Sequence, residues 1–238
     1  MWIRCGRWLC AGVIAALGIG AGPASATPVE LIANGGFETG SFAGWTVGNL
    51  GSGGCGTNQW AVNGTGAHGC SGFVGSMPVP VDGAFAAYNT FDGPSGALTL
   101  SQQIALPGSI SIATLSFRDT VRWANYNPPG DLMRSVRVDL YDAANSNLLA
   151  NLYLQSYGNV DQPWTLHVVD VAAALAPLAG QTVTFRLSNV IPQSFTGAAG
   201  FGADSISVLV PEPASALLLM GGLMGLAARD RRRRSRTP

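Results

Sequence analysis

Few residues in this 238-residue chain are suited to bond-breaking chemistry, and their types favour binding. Of the two histidines, His68 sits in a glycine-rich stretch and His167 in a run where apolar and polar residues alternate. No Gly-x-Ser-x-Gly elbow, His-Glu-x-x-His helix or phosphate-binding loop occurs. Asp139, Asp142 and Asp170 read as solvated strand and turn acids, although carboxylate pairs for glycoside hydrolysis are set by space and not by spacing. The expectation is therefore a protein that is not an enzyme. A sharper pattern is Arg122-Trp123-Ala124-Asn125-Tyr126-Asn127. Sugars are held by aromatic faces flanked by hydrogen-bonding Asn, Gln, Asp and Arg. That makes Arg122, Trp123, Asn125 and Tyr126 the candidate glycan-binding residues, with packing at a sheet edge as the alternative for the two aromatics. Asn58-Gln59-Trp60 and Tyr153 to Tyr157 carry weaker versions of the same composition.

The elements that must position such residues are strands. Period-2 alternation recurs in Leu98 to Gln102, in Ile110 onward to Phe117, in Val136 to Tyr141 and in Val183 to Ser188. Leu148 to Leu154, Trp164 to Val171 and Ser205 to Val210 are also strand-like. Pro-Gly and Asn-rich turns separate these runs. Only Val171 to Leu178 reads as helical, and Pro177 keeps it short. Short strands with one apolar face each imply two antiparallel sheets packed together, an all-β jelly-roll β-sandwich. Residues 49–76 are glycine-rich and read as one long loop.

Cysteine usage fits an oxidising compartment. Cys5 and Cys10 lie in an N-terminal segment that reads as removable, which leaves Cys55 and Cys70 as an even pair. A disulfide between them closes a loop worth roughly 3 kcal/mol. The metal alternative, with His68 nearby, lacks a fourth ligand.

Both ends of the chain read as address labels. Arg4 and Arg7, an apolar stretch from Leu9 to Ala21, and Ala24-Ser25-Ala26 form a signal peptide over residues 1–26, cut by signal peptidase after Ala26. At the other end, Pro211-Glu212-Pro213 precedes the uncharged stretch Ala214 to Ala228. Arg229, Arg231, Arg232, Arg233, Arg234 and Arg236 follow it. A fifteen-residue helix reaches only ~22 Å at about 1.5 Å per residue. That is a marginal transmembrane helix against a hydrocarbon core of roughly 30 Å. Its arginines should stay cytoplasmic, leaving the domain on the outer side.

Removing both labels changes the charge. The whole chain balances 13 Arg against 13 acids, with no Lys. Residues 27–213 keep five Arg against twelve acids, a net charge of −7. Such a domain is unsuited to nucleic acid phosphates.

The three-part tail, residues 210–238, resembles the PEP-CTERM sorting signal of Gram-negative bacteria. The resemblance implies transient insertion in the inner membrane and processing by an exosortase near Pro211, Glu212 and Pro213. It also implies a final place at the cell surface or in the extracellular matrix, with a link to exopolysaccharide and biofilm. Residues 27–209 resemble galactose-binding-like jelly rolls, which include carbohydrate-binding modules. The resemblance rests on Asn34-Gly35-Gly36-Phe37-Glu38 with Trp45, on Gln102/Gln103 before Leu106-Pro107-Gly108, on Trp164 to Val183, and on Gly202 to Val208. Such folds commonly bind a structural calcium, for which Glu38 and Asp204 are the candidate ligands, with turn-capping carboxylates as the alternative. No other cofactor is required. The functional expectation is an exported, non-catalytic module bound to extracellular polysaccharide; the alternative is a structural or adhesive envelope protein without a specific ligand.

Overall fold

The computed structural model describes residues 28–48, 52–53, 56–57, 60–123, 133–158, 160–194 and 197–211, of which 52–53 and 56–57 are described by their backbone. In chain order the strands are β1 (Pro28–Glu30), β2 (Thr46–Gly48), β3 (Ser52–Gly53), β4 (Gly56–Thr57), β5 (Trp60–Asn63), β6 (Ala86–Phe91), β7 (Gly96–Ala105), β8 (Thr114–Trp123), β9 (Arg134–Asp142), β10 (Leu148–Tyr157), β11 (Gln162–Asp170), β12 (Thr182–Ile191) and β13 (Ala199–Pro211). Two short helices, α1 (Ser71–Val74) and α2 (Ala172–Leu175), interrupt them, and a 3-10 turn over Ala176–Leu178 follows α2.

Two antiparallel sheets form from these strands. The first has the order β11-β8-β13-β6-β5, with β1 paired to the far end of β13, and the second has the order β10-β9-β12-β7-β2. The expected two-sheet sandwich is the observed architecture. The apolar alternation explains the packing: Val183, Phe185 and Leu187 of β12, Val136, Val138 and Leu140 of β9, and Leu115 and Phe117 of β8 are all fully buried between the sheets. Each such side chain contributes roughly 1.5–3 kcal/mol by leaving water. Polar groups also meet between the sheets: Asn189 Nδ2 on β12 donates to Asn89 Oδ1 on β6 at 3.1 Å.

Two expectations need correction. Residues 49–76 are not one loop: they contain the β3–β4 pair, the sheet strand β5 and helix α1. Strand β6 has no sequence signal either, because its six residues are all buried and show no alternation. The strand expected from Ile110 begins at Thr114, with Ile112 60% exposed ahead of it. In the turn after β1, positive φ falls on Asn34 and Phe37. Gly35 serves close approach, because a Cβ there would lie 1.8 Å from the Ile206 carbonyl oxygen.

Among the described residues no helix is long and apolar enough to cross a membrane. The expected signal peptide and C-terminal helix lie outside those residues, as do Ala26, Glu212, Pro213, Arg231, Arg232, Arg233 and Arg234. Pro211 ends β13, where it sits opposite Pro28.

Candidate functional site

The outer face of the second sheet is its polar face. On β9 and β12 the residues between the core positions are Arg137, Asp139 and Tyr141, and Thr184, Arg186 and Ser188. Because β9 and β12 are neighbours, Arg186 stands opposite Asp139 and Thr184 opposite Tyr141. Arg137, Asp139, Tyr141, Arg186 and Ser188 line an open cleft of about 520 Å³ together with Thr99, Val190 and the segment Ser95 to Ala97. A second recess of about 310 Å³ lies beside it, lined by Ser101, Gln103, Thr184 and the turn Ala143 to Asn145.

Hydrogen bonds fix the cleft floor. Asp139 is only 2% exposed and accepts from Asn151 Nδ2 at 2.7 Å and from Arg137 Nη2 at 3.3 Å. Arg137 Nε also lies 3.3 Å from Asp139 Oδ2, but without hydrogen-bond alignment. The Arg186 guanidinium lies 3.7 Å from the Tyr141 ring centroid and donates through Nη2 to the backbone and side-chain oxygens of Asn145. Both arginines are thus held in place before any ligand arrives, which limits the entropy lost on binding.

The residues singled out by sequence have other placements. Arg122 donates to the Ser76 carbonyl at 2.6 Å and lies 3.9 Å from Asp161. Trp123 is buried, with the Arg134 guanidinium 4.4 Å from its ring centroid, so its face is not open as a sugar platform. Burial lowers the Arg134 pKa to about 9 against the raising influence of Asp92. Asn125 and Tyr126 lie outside the described residues. Cys70 is fully buried and disulfide-bonded, and its expected partner Cys55 is also outside them. His68 accepts from the Cys70 N–H through Nδ1 and faces the Gly75 carbonyl through Nε2 at 3.0 Å. Burial lowers its pKa, opposed by the Gly75 bond.

The two calcium candidates lie where the loop after β1 meets a bulge in β13. Glu38 accepts from the Ala84 N–H at 2.9 Å and the Phe85 N–H at 3.1 Å. Asp204 is fully buried; Oδ1 accepts from the Ser205 N–H at 2.6 Å, while Oδ2 has no hydrogen-bond partner among the described residues. Burial pushes the Asp204 pKa up to about 7, and the negative charges of Asp82 and Glu38 push the same way. Among the described residues no group of three or more His, Cys, Asp or Glu is arranged to hold a metal ion.

The sequence does show the alternation that sends Arg137, Asp139, Tyr141 and Arg186 outward. What it does not show is that the two strands carrying them are adjacent, since β10 and β11 intervene along the chain.

Several solved structures share the sandwich. A cyclase from Fischerella sp. TAU matches with a TM-score of 0.51 and 20% identity, over 77% of this chain and 98% of that one. TmCBM61 in complex with β-1,4-galactotriose matches with a TM-score of 0.43 and 17% identity, over 76% of this chain and 97% of that one. The enzymatically active domain of tailspike protein 4 of Bacteriophage CBA120 matches with a TM-score of 0.49 and 9% identity, over 76% of this chain but only 21% of that one. This chain therefore spans about a fifth of that tailspike. At 20% identity the likeness to the cyclase is one of fold alone. No curated protein matches the chain. The tail gives the specific match: residues 209–233 fit the PEP-CTERM protein-sorting motif, so the chain carries the sorting tail of an exported protein handled by an exosortase.

Proposed function

We propose that this exported protein is a non-catalytic glycan-binding module whose binding surface is the outer face of the second sheet. The observation that carries the reading is the open cleft lined by Arg137, Asp139, Tyr141, Arg186 and Ser188. A donor and acceptor set on rigid strands suits the paired hydroxyls of a sugar, and the open shape suits a polymer passing through. The cleft replaces the Arg122 to Tyr126 segment as the favoured site, because Arg122 and Trp123 are engaged in the fold. Titration of the purified domain with neutral and acidic polysaccharides, watched by calorimetry, tests it. Saturable binding lost in Asp139→Ala supports the reading; absence of binding across the panel favours the alternative of a structural or adhesive envelope protein without a specific ligand.

Three further parts belong to the same proposal. Signal peptidase cuts after Ala26, and the exosortase acts near Pro211-Glu212-Pro213 before release to the surface or to an exopolysaccharide matrix. Cys55 is the disulfide partner of Cys70. Asp204, with Glu38, takes a structural calcium; the unpartnered Asp204 Oδ2 and the surrounding negative charge support this, since a cation would satisfy both.

A further inference from the structure

We infer that the glycan taken by this cleft is anionic, and that Arg186 is the residue that selects it; the inference rests on the glycan-binding reading above. The charge balance of the cleft is the opposite of that of the domain. Residues 27–213 carry seven negative charges in excess, yet the cleft is lined by two arginines and one acid. Arg137 and Asp139 neutralise each other across 3.3 Å. Arg186 remains. No carboxylate among the described residues lies within ion-pair distance of it. Its partners are the ring of Tyr141 and the neutral oxygens of Asn145.

An arginine with an acidic partner close by is stabilised by the fold. One held on a ring and on a carbonyl oxygen, in a recess, keeps its charge available. Arg186 contacts Asn145 through Nη2. The Nε and Nη1 N–H groups stay as separate donors, each able to bond one oxyanion oxygen of a carboxylate or sulfate. The negative charges elsewhere on the domain are screened beyond about 8 Å in physiological salt, so the local field decides. They also disfavour loose, sequence-blind capture of polyanions, so binding of an acidic polymer requires a local site.

The test uses residues 27–213 secreted with the disulfide formed. Four probes are titrated: polygalacturonate for carboxylate, dextran sulfate for sulfate, and neutral dextran and neutral β-1,4-galactan. Binding to one or both anionic probes supports the inference if added NaCl weakens it and Arg186→Gln weakens it about tenfold to a hundredfold. Arg186→Lys keeps the charge and loses the planar contact with Tyr141, so its affinity falls between the two. If the Gln variant does not fold, the salt dependence of the native domain and the Lys variant still decide. Equal affinity for neutral and anionic probes overturns the inference and leaves the glycan reading standing. Anionic binding untouched by both Arg186 variants overturns it by moving the site elsewhere. Binding to none of the four overturns both readings together.

Discussion

His167 Nε2 lies 2.9 Å from Oδ1 of Asp119, a carboxylate with no exposed surface. The pair joins β11 to β8 within the first sheet, and two tyrosines of β10 reach it from the second. Tyr157 donates its hydroxyl to Asp119 Oδ2, and the Tyr153 hydroxyl lies 2.8 Å from His167 Nδ1 while donating to Gln155. Burial raises the pKa of both tyrosines, that of Tyr153 to about 12, with Asp119 adding to the effect. Four polar side chains thus close the sandwich along the side where both edge strands lie. Asp119→Ala leaves Tyr157 and His167 without their acceptor. Removing one partner of a buried pair costs about 3–5 kcal/mol. Urea unfolding should show the midpoint falling accordingly, with Tyr157→Phe costing about 1–3 kcal/mol because it strands one acceptor.

Asp204 makes stability depend on pH in an unusual direction. Its folded pKa, about 7, lies above the ordinary carboxylate value of 3.8. The folded state therefore holds a proton that the unfolded chain releases, and the stabilisation is complete below pH 3.8 and lost as pH rises through about 7. In chelator, the melting temperature should fall between pH 5 and 8 by more in the native domain than in Asp204→Asn. Millimolar calcium should cancel that loss at pH 8 if Asp204 is a ligand, and leave it unchanged if it is not.

Gly35→Ala should be among the most damaging single substitutions. The new Cβ would meet the Ile206 carbonyl oxygen, which also accepts no retreat because Ile206 N–H is bonded to Gly35 O at 3.0 Å. A cost of about 3 kcal/mol follows from overpacking of this kind. Gly72→Ala, with nothing within 4 Å of its Cβ, is the matched control and should leave the melting temperature unchanged.

Gln102 holds the loop after β1 by three bonds. Its Oε1 accepts from the Ala33 N–H at 2.8 Å, and its Nε2 donates to the Ala33 and Gly44 carbonyls at 3.0 Å each. Gln102→Leu should cost about 1 kcal/mol, since it leaves the Ala33 and Gly44 backbone groups without their side-chain partner. Hydrogen exchange should accelerate at Ala33 and at Trp45, whose indole N–H bonds the Asn34 carbonyl at 3.1 Å.

How much of this was legible beforehand depends on whether the information is local. The alternation in Val136 to Tyr141 and Val183 to Ser188 announced β9 and β12 and the side each residue faces. Two-sided burial erased the same signal in β6, and the glycine content around β5 hid a strand inside an apparent loop. The candidate site suffered from distance along the chain. Arg122 and Trp123 have the right composition for a sugar site, but their surroundings, Ser76, Asp161 and Arg134, come from other segments and bring them into the fold. Arg186 gained its place from Tyr141 and Asn145, some forty residues earlier, which no local pattern reveals. His167 was read as an ordinary strand residue for the same reason: Asp119 and Tyr153 are its neighbours only in space.

The pairing of Pro28 with Pro211 has a geometric consequence for the exported protein. The described chain begins and ends at one corner, so it closes almost into a ring. Anything joined to either end leaves from that single point. A pull on both ends loads the β1–β13 ladder first, at the rim of the first sheet. Pro28 and Pro211 both lack the backbone N–H that would lengthen that ladder, so it can peel open from its tip while the rest of the sandwich stays shut.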